Sequence, residues 1–350
     1  MIEFSQLTFK SLVVHRVGNK LREEGILTAP ELYGIGDEQL KNILLDYFLL
    51  PFKQDEYYKF VHDDTLPQND LEQYCHAIFE DRHAAFMEQS VHIARHLYNQ
   101  STHPKIHGGE LYVAYFSDIQ VEDELTDAIG IFKSEYKDIY LKTDEQNGRV
   151  ELQCEKGINI KKLDKGCLIF NTFGHDGYRI MICDRTAKNQ GEAHYWKDQF
   201  LHVTRVHDYS FNTETLLNIC REFSEEHYES EDARKDQIVF MNKAINFFTQ
   251  RDHFDMEEFA DEVLEEPKRI DEFKTYRDRY ETQNNLKPVP DFKISQPAVK
   301  VAKRKFKSLI QLDTGIELRL KSEQTEQFIV KEYDKQRQMY YYKVYFTEES

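Results

Sequence analysis

Lys300, Lys303, Arg304 and Lys307 fall at i, i+3, i+4 and i+7, the spacing that lines side chains along one face of a helix. Val299, Ala302, Phe306 and Leu309 mark a second, apolar face of the same segment. Pro297 suits the first turn of such a helix, with Ser295 or Gln296 as its cap. From Phe292 to Leu312 there is no Asp or Glu, while Lys293 and Lys305 add to the positive charge. A basic stripe backed by an apolar one can dock on a protein body and present its cations to an anion. The plain alternative is a solvated helix face with no ligand.

The other reactive side chains form no comparable set. His92 and His96 have the i, i+4 spacing of a zinc-binding pair. Their motif, His-Ile-Ala-Arg-His, lacks the Glu that follows the first His in zinc proteases, and no third ligand stands out. They read as surface or partly packed residues. The paired carboxylates Glu225-Glu226, Glu257-Glu258 and Glu265-Glu266 lie in helical stretches and read as solvated faces. Nucleophile elbows, phosphate-binding glycine loops and dinucleotide fingerprints are all missing from the sequence. Cys167 reads as core. Tyr195-Trp196 reads as an aromatic anchor for a helix packed on a sheet. Tyr340-Tyr341-Tyr342 could offer a stacking surface for bases, although strand alternation turns at least one of those rings inward. With no nucleophile, base and orienting group to name together, a non-enzymatic protein is expected, with neither metal nor cofactor.

The elements that must position these residues follow from periodicity. Ser11 to Val17 reads as a strand ending at Gly18-Asn19. Leu40, Ile43, Leu44, Tyr47 and Phe48 predict a helix from Asp37 to Pro51, and a second helical stretch runs from Asp70 to Tyr98. Between 110 and 185 the pattern changes to six short runs: Leu111–Phe116, Ala128–Phe132, Ile139–Lys142, Val150–Cys154, Leu168–Phe170 and Tyr178–Cys183. Asn147-Gly148 and Asp176-Gly177 are hairpin turns between them. Strands joined so tightly form an antiparallel sheet, not a set of parallel crossovers. From Thr213 to Asn285 the chain is helical again, with Asp255 as a cap and Glu258 as its capping-box partner. Leu286 to Pro290 is the best linker. A short helix over Ser295–Leu309 follows, then two hairpins, Leu309–Leu312 with Ile316–Leu320 and Phe328–Tyr333 with Tyr340–Phe346. The class is α+β.

Length and charge set the scale. The 350 residues suggest an α+β domain over 1–207, an acidic helical segment over 208–287 and a basic helix and β-hairpin module over 288–350. The net charge is −17, but it is unevenly spread. Residues 208–287 hold 21 acids against 11 bases, whereas 288–350 hold 9 against 12. Only the C-terminal piece is positive, so any grip on a polyanion must be local. No signal peptide or membrane span is expected. The cysteines, Cys75, Cys154, Cys167, Cys183 and Cys220, number five and include no Cys-x-x-Cys, so free thiols in a reducing cytoplasm are expected.

The run from Ala302 to Asp313, Ala-Lys-Arg-Lys-Phe-Lys-Ser-Leu-Ile-Gln-Leu-Asp, and the run Tyr341 to Phe346 resemble the C-terminal part of the bacterial nucleoid-associated family typified by NdpA, also called YejK. Gly157-Ile158, Leu163 to Asn171, Asp176-Gly177-Tyr178 and Tyr195-Trp196 are similar to its middle segment, as is Phe254-Asp255 leading to Glu258-Phe259. The resemblance extends from about Val14 to Phe346 and looks closest to the branch found in Bacteroidetes-type bacteria. It implies a cytoplasmic, chromosome-associated protein with DNA binding, topoisomerase contact and no enzymatic activity. It supplies no binding residues. The basic stripe supplies those: Lys293, Lys300, Lys303, Arg304, Lys305 and Lys307 would contact DNA, or RNA, weakly and without sequence preference. The competing expectation is an acidic interaction module, 208–287, that binds a DNA-processing enzyme such as a topoisomerase. A hydrolase or nuclease is the third. The C-terminal hairpins could also pair across a two-fold axis to give a homodimer.

Overall fold

The computed structural model describes residues 2–52, 56–61, 69–121, 124–146, 149–174, 177–185, 195–228, 233–306, 308–320 and 328–348. The chain divides into two units, Met1–Val206 and His207–Ser350.

The first unit is built on strands β1 (Ile2–Glu3), β2 (Thr8–Val17), β3 (Ile26–Leu27), β4 (Tyr58–Phe60), β5 (Gly109–Val121), β6 (Glu124–Ser134), β7 (Asp138–Gln146), β8 (Arg149–Gly157), β9 (Lys165–Gly174), β10 (Gly177–Asp184) and β11 (Val203–Arg205). Nine of them form one sheet in the order β11-β4-β10-β9-β6-β5-β2-β3, with β1 added against β5. Every pairing in it is antiparallel. The α+β class holds. Two of the six predicted strands do not join the sheet, however: β7 and β8 pair only with each other. They carry charged residues at alternate positions instead of the continuous apolar runs that a strand covered on both faces needs.

Both faces of the sheet are covered. Helix α1 (Glu38–Leu49), capped by the Asp37 carboxylate on the amides of Gln39 and Leu40, stacks Phe48 on Phe132 of β6 at 4.2 Å between ring centroids. Helices α2 (Asp70–Glu80) and α3 (Arg82–Gln100) cover the other face, sharing a core with Val13, Val113, Ile129, Ile131, Cys167 and Ile180. The predicted single stretch from Asp70 to Tyr98 is therefore two helices. Asp81 breaks it: its amide closes α2 onto Ala77 O, and its carboxylate caps α3 through the Ala84 amide. Gly109 is required where β5 meets the end of β6, because a Cβ there would sit 1.8 Å from the Ser134 carbonyl oxygen. Gly177 takes the left-handed φ of +78° that the Asp176-Gly177 turn demands; Asp176 itself, and the Asn147-Gly148 turn, lie outside the described residues.

The second unit begins with the long helices α4 (Tyr209–His227) and α5 (Ala233–Gln250). Strand β12 (His253–Asp255) leads into α6 (Met256–Phe259), which continues as a wider π-helical turn, Ala260–Leu264. Then come α7 (Pro267–Gln283), β13 (Asp291–Lys293), α8 (Gln296–Lys305), and the strands β14 (Leu309–Gln311), β15 (Glu317–Arg319), β16 (Ile329–Asp334) and β17 (Met339–Val344). Asp255 caps α6 as predicted, accepting from the amides of Glu257 and Glu258. The Glu258 carboxylate turns instead to Arg251. Phe223, Phe247, Phe248, Phe254, Phe259, Phe273 and Phe292 form one aromatic core that also takes in Val299 of α8. The acidic helices and the basic helix thus share a single interior.

Candidate nucleic-acid interface

Helix α8 is held from its first turn. Ser295 accepts the Ala298 amide and donates its own backbone amide to Thr213 of α4. Gln296 donates to the carbonyls of Phe248 and Arg251 at the end of α5, both at 3.1 Å. Ala298 and Val299 are buried, with Ala302 and Phe306 packed beside them. This anchoring leaves one side of the helix facing water. On that side Lys300, Lys303 and Arg304 are exposed. Lys305, also exposed, turns about 100° further round. Lys293 on β13 is exposed too, with its ammonium 5.7 Å from the Tyr209 ring centroid. Among the described residues these five cations enter no ion pair.

The predicted helix ends early. Phe306 closes it with its amide on Ala302 O and an extended ψ of 119°, so Leu309 belongs to β14 and not to the apolar helix face. Lys307 lies outside the described residues. Lys303, Arg304 and Lys305 occupy the last turn, where each also offsets the negative end of the helix dipole by about 0.3–1 kcal/mol.

Beside α8 is a cavity of about 580 Å³, lined by Lys303, Phe306, Asn242, Asn246, Ser308 and Arg319 among others. Its wall is fixed by Asn242, which donates to Leu320 O and accepts from the Ser308 hydroxyl, both at 3.1 Å. On the last hairpin, Tyr333 and Tyr340 are exposed with ring centroids 4.9 Å apart, and the Lys331 ammonium sits 4.4 Å from the Tyr340 ring. Tyr342 packs against the core of Ile238, Ile310 and Ile329. Of the tyrosine triplet, one ring is thus committed inward. Glu332 is spoken for by Lys343 and by the Tyr341 hydroxyl, whose hydrogen bonds hold its carboxyl below the usual carboxylate range.

The other residues singled out in the sequence go elsewhere. His96 meets the Phe200 carbonyl at 3.0 Å and His92 meets Gln89, with Tyr74 packed against both rings. Cys167 is fully buried, and desolvation drives its thiol far up. Tyr195 and Trp196, both buried, open a π-helical turn, Tyr195–Leu201, that also buries Phe200 and Leu201.

What the sequence did not disclose is a charged cluster inside the first unit. Lys133 of β6 and Lys165 of β9 are register partners, 0% and 1% exposed. The Lys133 ammonium donates to Glu135 at 2.9 Å, to His107 O at 2.8 Å and to the Tyr195 hydroxyl at 3.2 Å. Lys165 donates to Asp184 at 2.9 Å. Tyr195 donates to Glu135 at 2.6 Å, and both ammoniums lie over its ring. Asp164 accepts the amides of Glu135 and Tyr136. Burial pulls the Lys133 amine down and pushes the Asp164 carboxyl and Tyr195 phenol up. The one sequence signal was a lysine ending an apolar strand. With its lysines covered, the cluster ties two strands to the π-helical turn.

The family model described as nucleoid-associated protein YejK matches residues 13–342. The chain belongs to this family. No match to a curated protein was found. Membership of the YejK family makes it a nucleoid-associated protein of the bacterial cytoplasm, in a family generally without catalytic activity. No helix among the described residues is long and apolar enough to cross a membrane. The residues that carry the YejK resemblance divide between interior and surface, the C-terminal runs Ala302 to Asp313 and Tyr341 to Phe346 being largely exposed or half-buried. Leu163 to Phe170 and Tyr195-Trp196 lie in the charged cluster and the sheet core, and Phe254 and Phe259 in the aromatic core.

Proposed function

We propose that this nucleoid-associated chain contacts DNA weakly and without sequence preference through the exposed side of α8. Lys300, Lys303 and Arg304 make the central phosphate contacts, with Lys293 and Lys305 at the flanks and Lys307 as the sixth cation of the stretch. The observation that carries the reading is a row of cations without acidic partners among the described residues, on a helix whose other side is locked into a core. The acidic remainder of the surface repels the duplex, so the protein would touch DNA in one orientation. The exposed tyrosines of the last hairpin add a stacking surface if strands separate.

The test is a titration of binding against salt, on duplex DNA, single-stranded DNA and RNA. Four to six contacts predict a log–log slope of about −4 to −5 on duplex DNA. A salt-independent affinity removes the proposal. Stronger binding to RNA would move the ligand but keep the site.

A second reading rests on residues 208–287, with 21 acids against 11 bases. This face would meet a basic DNA-processing enzyme such as a topoisomerase. Capture of such a partner from lysate after nuclease treatment favours it; loss of the partner with the DNA favours the first reading.

A further inference from the structure

The β7–β8 arm has two unlike faces. Side chains alternate along a strand, and cross-strand partners share a face. The register therefore puts Ile139, Leu141 and Thr143 with Val150, Leu152 and Cys154 on one face. Ile139, Leu141, Val150 and Leu152 are 66, 69, 72 and 68% exposed. The other face is polar: the Tyr140 hydroxyl donates to Glu155 at 2.7 Å, and the Lys142 ammonium lies 3.5 Å from the same carboxylate. A lone two-stranded hairpin is marginal in water. One with a continuous apolar face left open needs a cover.

The charges on that face say what the cover is. Glu145, opposite Val150, stands at the tip; Lys156, opposite Ile139, stands at the base. When a second arm is laid face to face and antiparallel, tip over base, Glu145 of each copy comes to the same end as Lys156 of the partner subunit. The two are then offset by one strand spacing of about 4.8 Å, within reach of long side chains. Parallel stacking would instead bring the two Glu145 carboxylates to one end and the two Lys156 ammoniums to the other, like charge beside like. We propose that the chain forms a homodimer by antiparallel packing of two β7–β8 arms through their apolar faces. Nine residues per strand give a face about 30 Å long and 10 Å wide. That area is at the low end for protein interfaces, so the dimer is a transient one, dissociating at roughly micromolar concentration.

Sedimentation of the full chain over a concentration series tests this. Wild type should pass from monomer to dimer, and Leu141→Lys/Leu152→Lys should remain monomeric with an unchanged circular dichroism spectrum. Both substitutions are at exposed positions, so the fold of the unit is spared. Glu145→Lys should weaken the dimer at least tenfold, and Glu145→Lys/Lys156→Glu should restore it. A bis-maleimide should join two copies through Cys154, the exposed cysteine, and not in Cys154→Ser. A chain monomeric at every concentration, or a dimer indifferent to Leu141→Lys/Leu152→Lys, overturns the proposal. Restoration failing in the double charge swap overturns the antiparallel arrangement.

Discussion

The side-chain amide of Gln296 donates to the backbone carbonyl of Phe248 at 3.1 Å, so the first turn of the basic helix caps the end of the helix beneath it. The same amide reaches Arg251 O at 3.1 Å. Carbonyls at a helix end otherwise need water or a cap. Gln296→Ala removes both bonds from a half-buried site and should lower unfolding free energy by about 1–2 kcal/mol, read from urea melts. Gln296→Glu cannot donate and should cost at least as much. An unchanged midpoint in both variants would show that α8 is held by its apolar side alone.

The cations of α8 should act through position and not through total charge. Lys303→Ala/Arg304→Ala should reduce the salt slope of duplex binding by about 2 and weaken binding at low salt by tenfold or more. Lys161→Ala/Lys162→Ala changes the net charge equally, at exposed positions of the first unit. It should leave the slope alone. Fluorescence anisotropy with a labelled duplex decides between the two. Equal effects from both pairs would mean that only the average charge matters.

Much of this was legible in local pattern. Asp37, Asp255 and Ser295 cap helices because a short acceptor side chain before a run of helix formers has one good use. The strand ending at Val17 and the Gly177 turn follow from alternation and from the cost of positive φ. What escaped depends on partners far along the chain. Asp81 could cap a new helix or stay inside a long one, and packing decides. β7 and β8 read as strands, but nothing local says that they leave the sheet. Lys133 and Lys165 look like surface residues until β6 and β9 are placed side by side. On the basic helix, the stripe of Lys300, Lys303 and Arg304 was visible in spacing, while its early end at Lys305 was not. Phe306 turns extended because its ring packs against both the aromatic core and the cluster around Ile310.

His15 gives the fold a dependence on pH. Its ring is 2% exposed, takes the Ala29 amide on Nδ1 and meets the Ser90 hydroxyl through Nε2. Burial pushes its pKa down to about 4, from 6.5. Between those values the unfolded chain binds a proton that the folded chain refuses, so stability falls as pH drops. From pH 7 to pH 5 this group should remove about 2 kcal/mol. His15→Gln cannot titrate, and the stability difference between wild type and this variant should shrink by that amount over the same interval. A constant difference in urea melts at the two pH values would place the titration elsewhere.

The buried pair Lys133 and Glu135 should behave as a unit. Taking ions from water is costly, and each is tolerated inside because the other neutralises it. Lys133→Met leaves the Glu135 carboxylate, 3% exposed, without its ammonium partner although it still accepts from the Tyr195 hydroxyl, and should cost about 3–5 kcal/mol. Lys133→Met/Glu135→Met removes both charges and keeps apolar bulk. It should recover a large part of the loss, even though it gives up the bond to His107 O. The double-mutant cycle is the measurement that isolates this interaction. Additive losses would mean that the two ions are each held by their other partners, and that the link between β6 and the Tyr195 turn does not depend on their attraction.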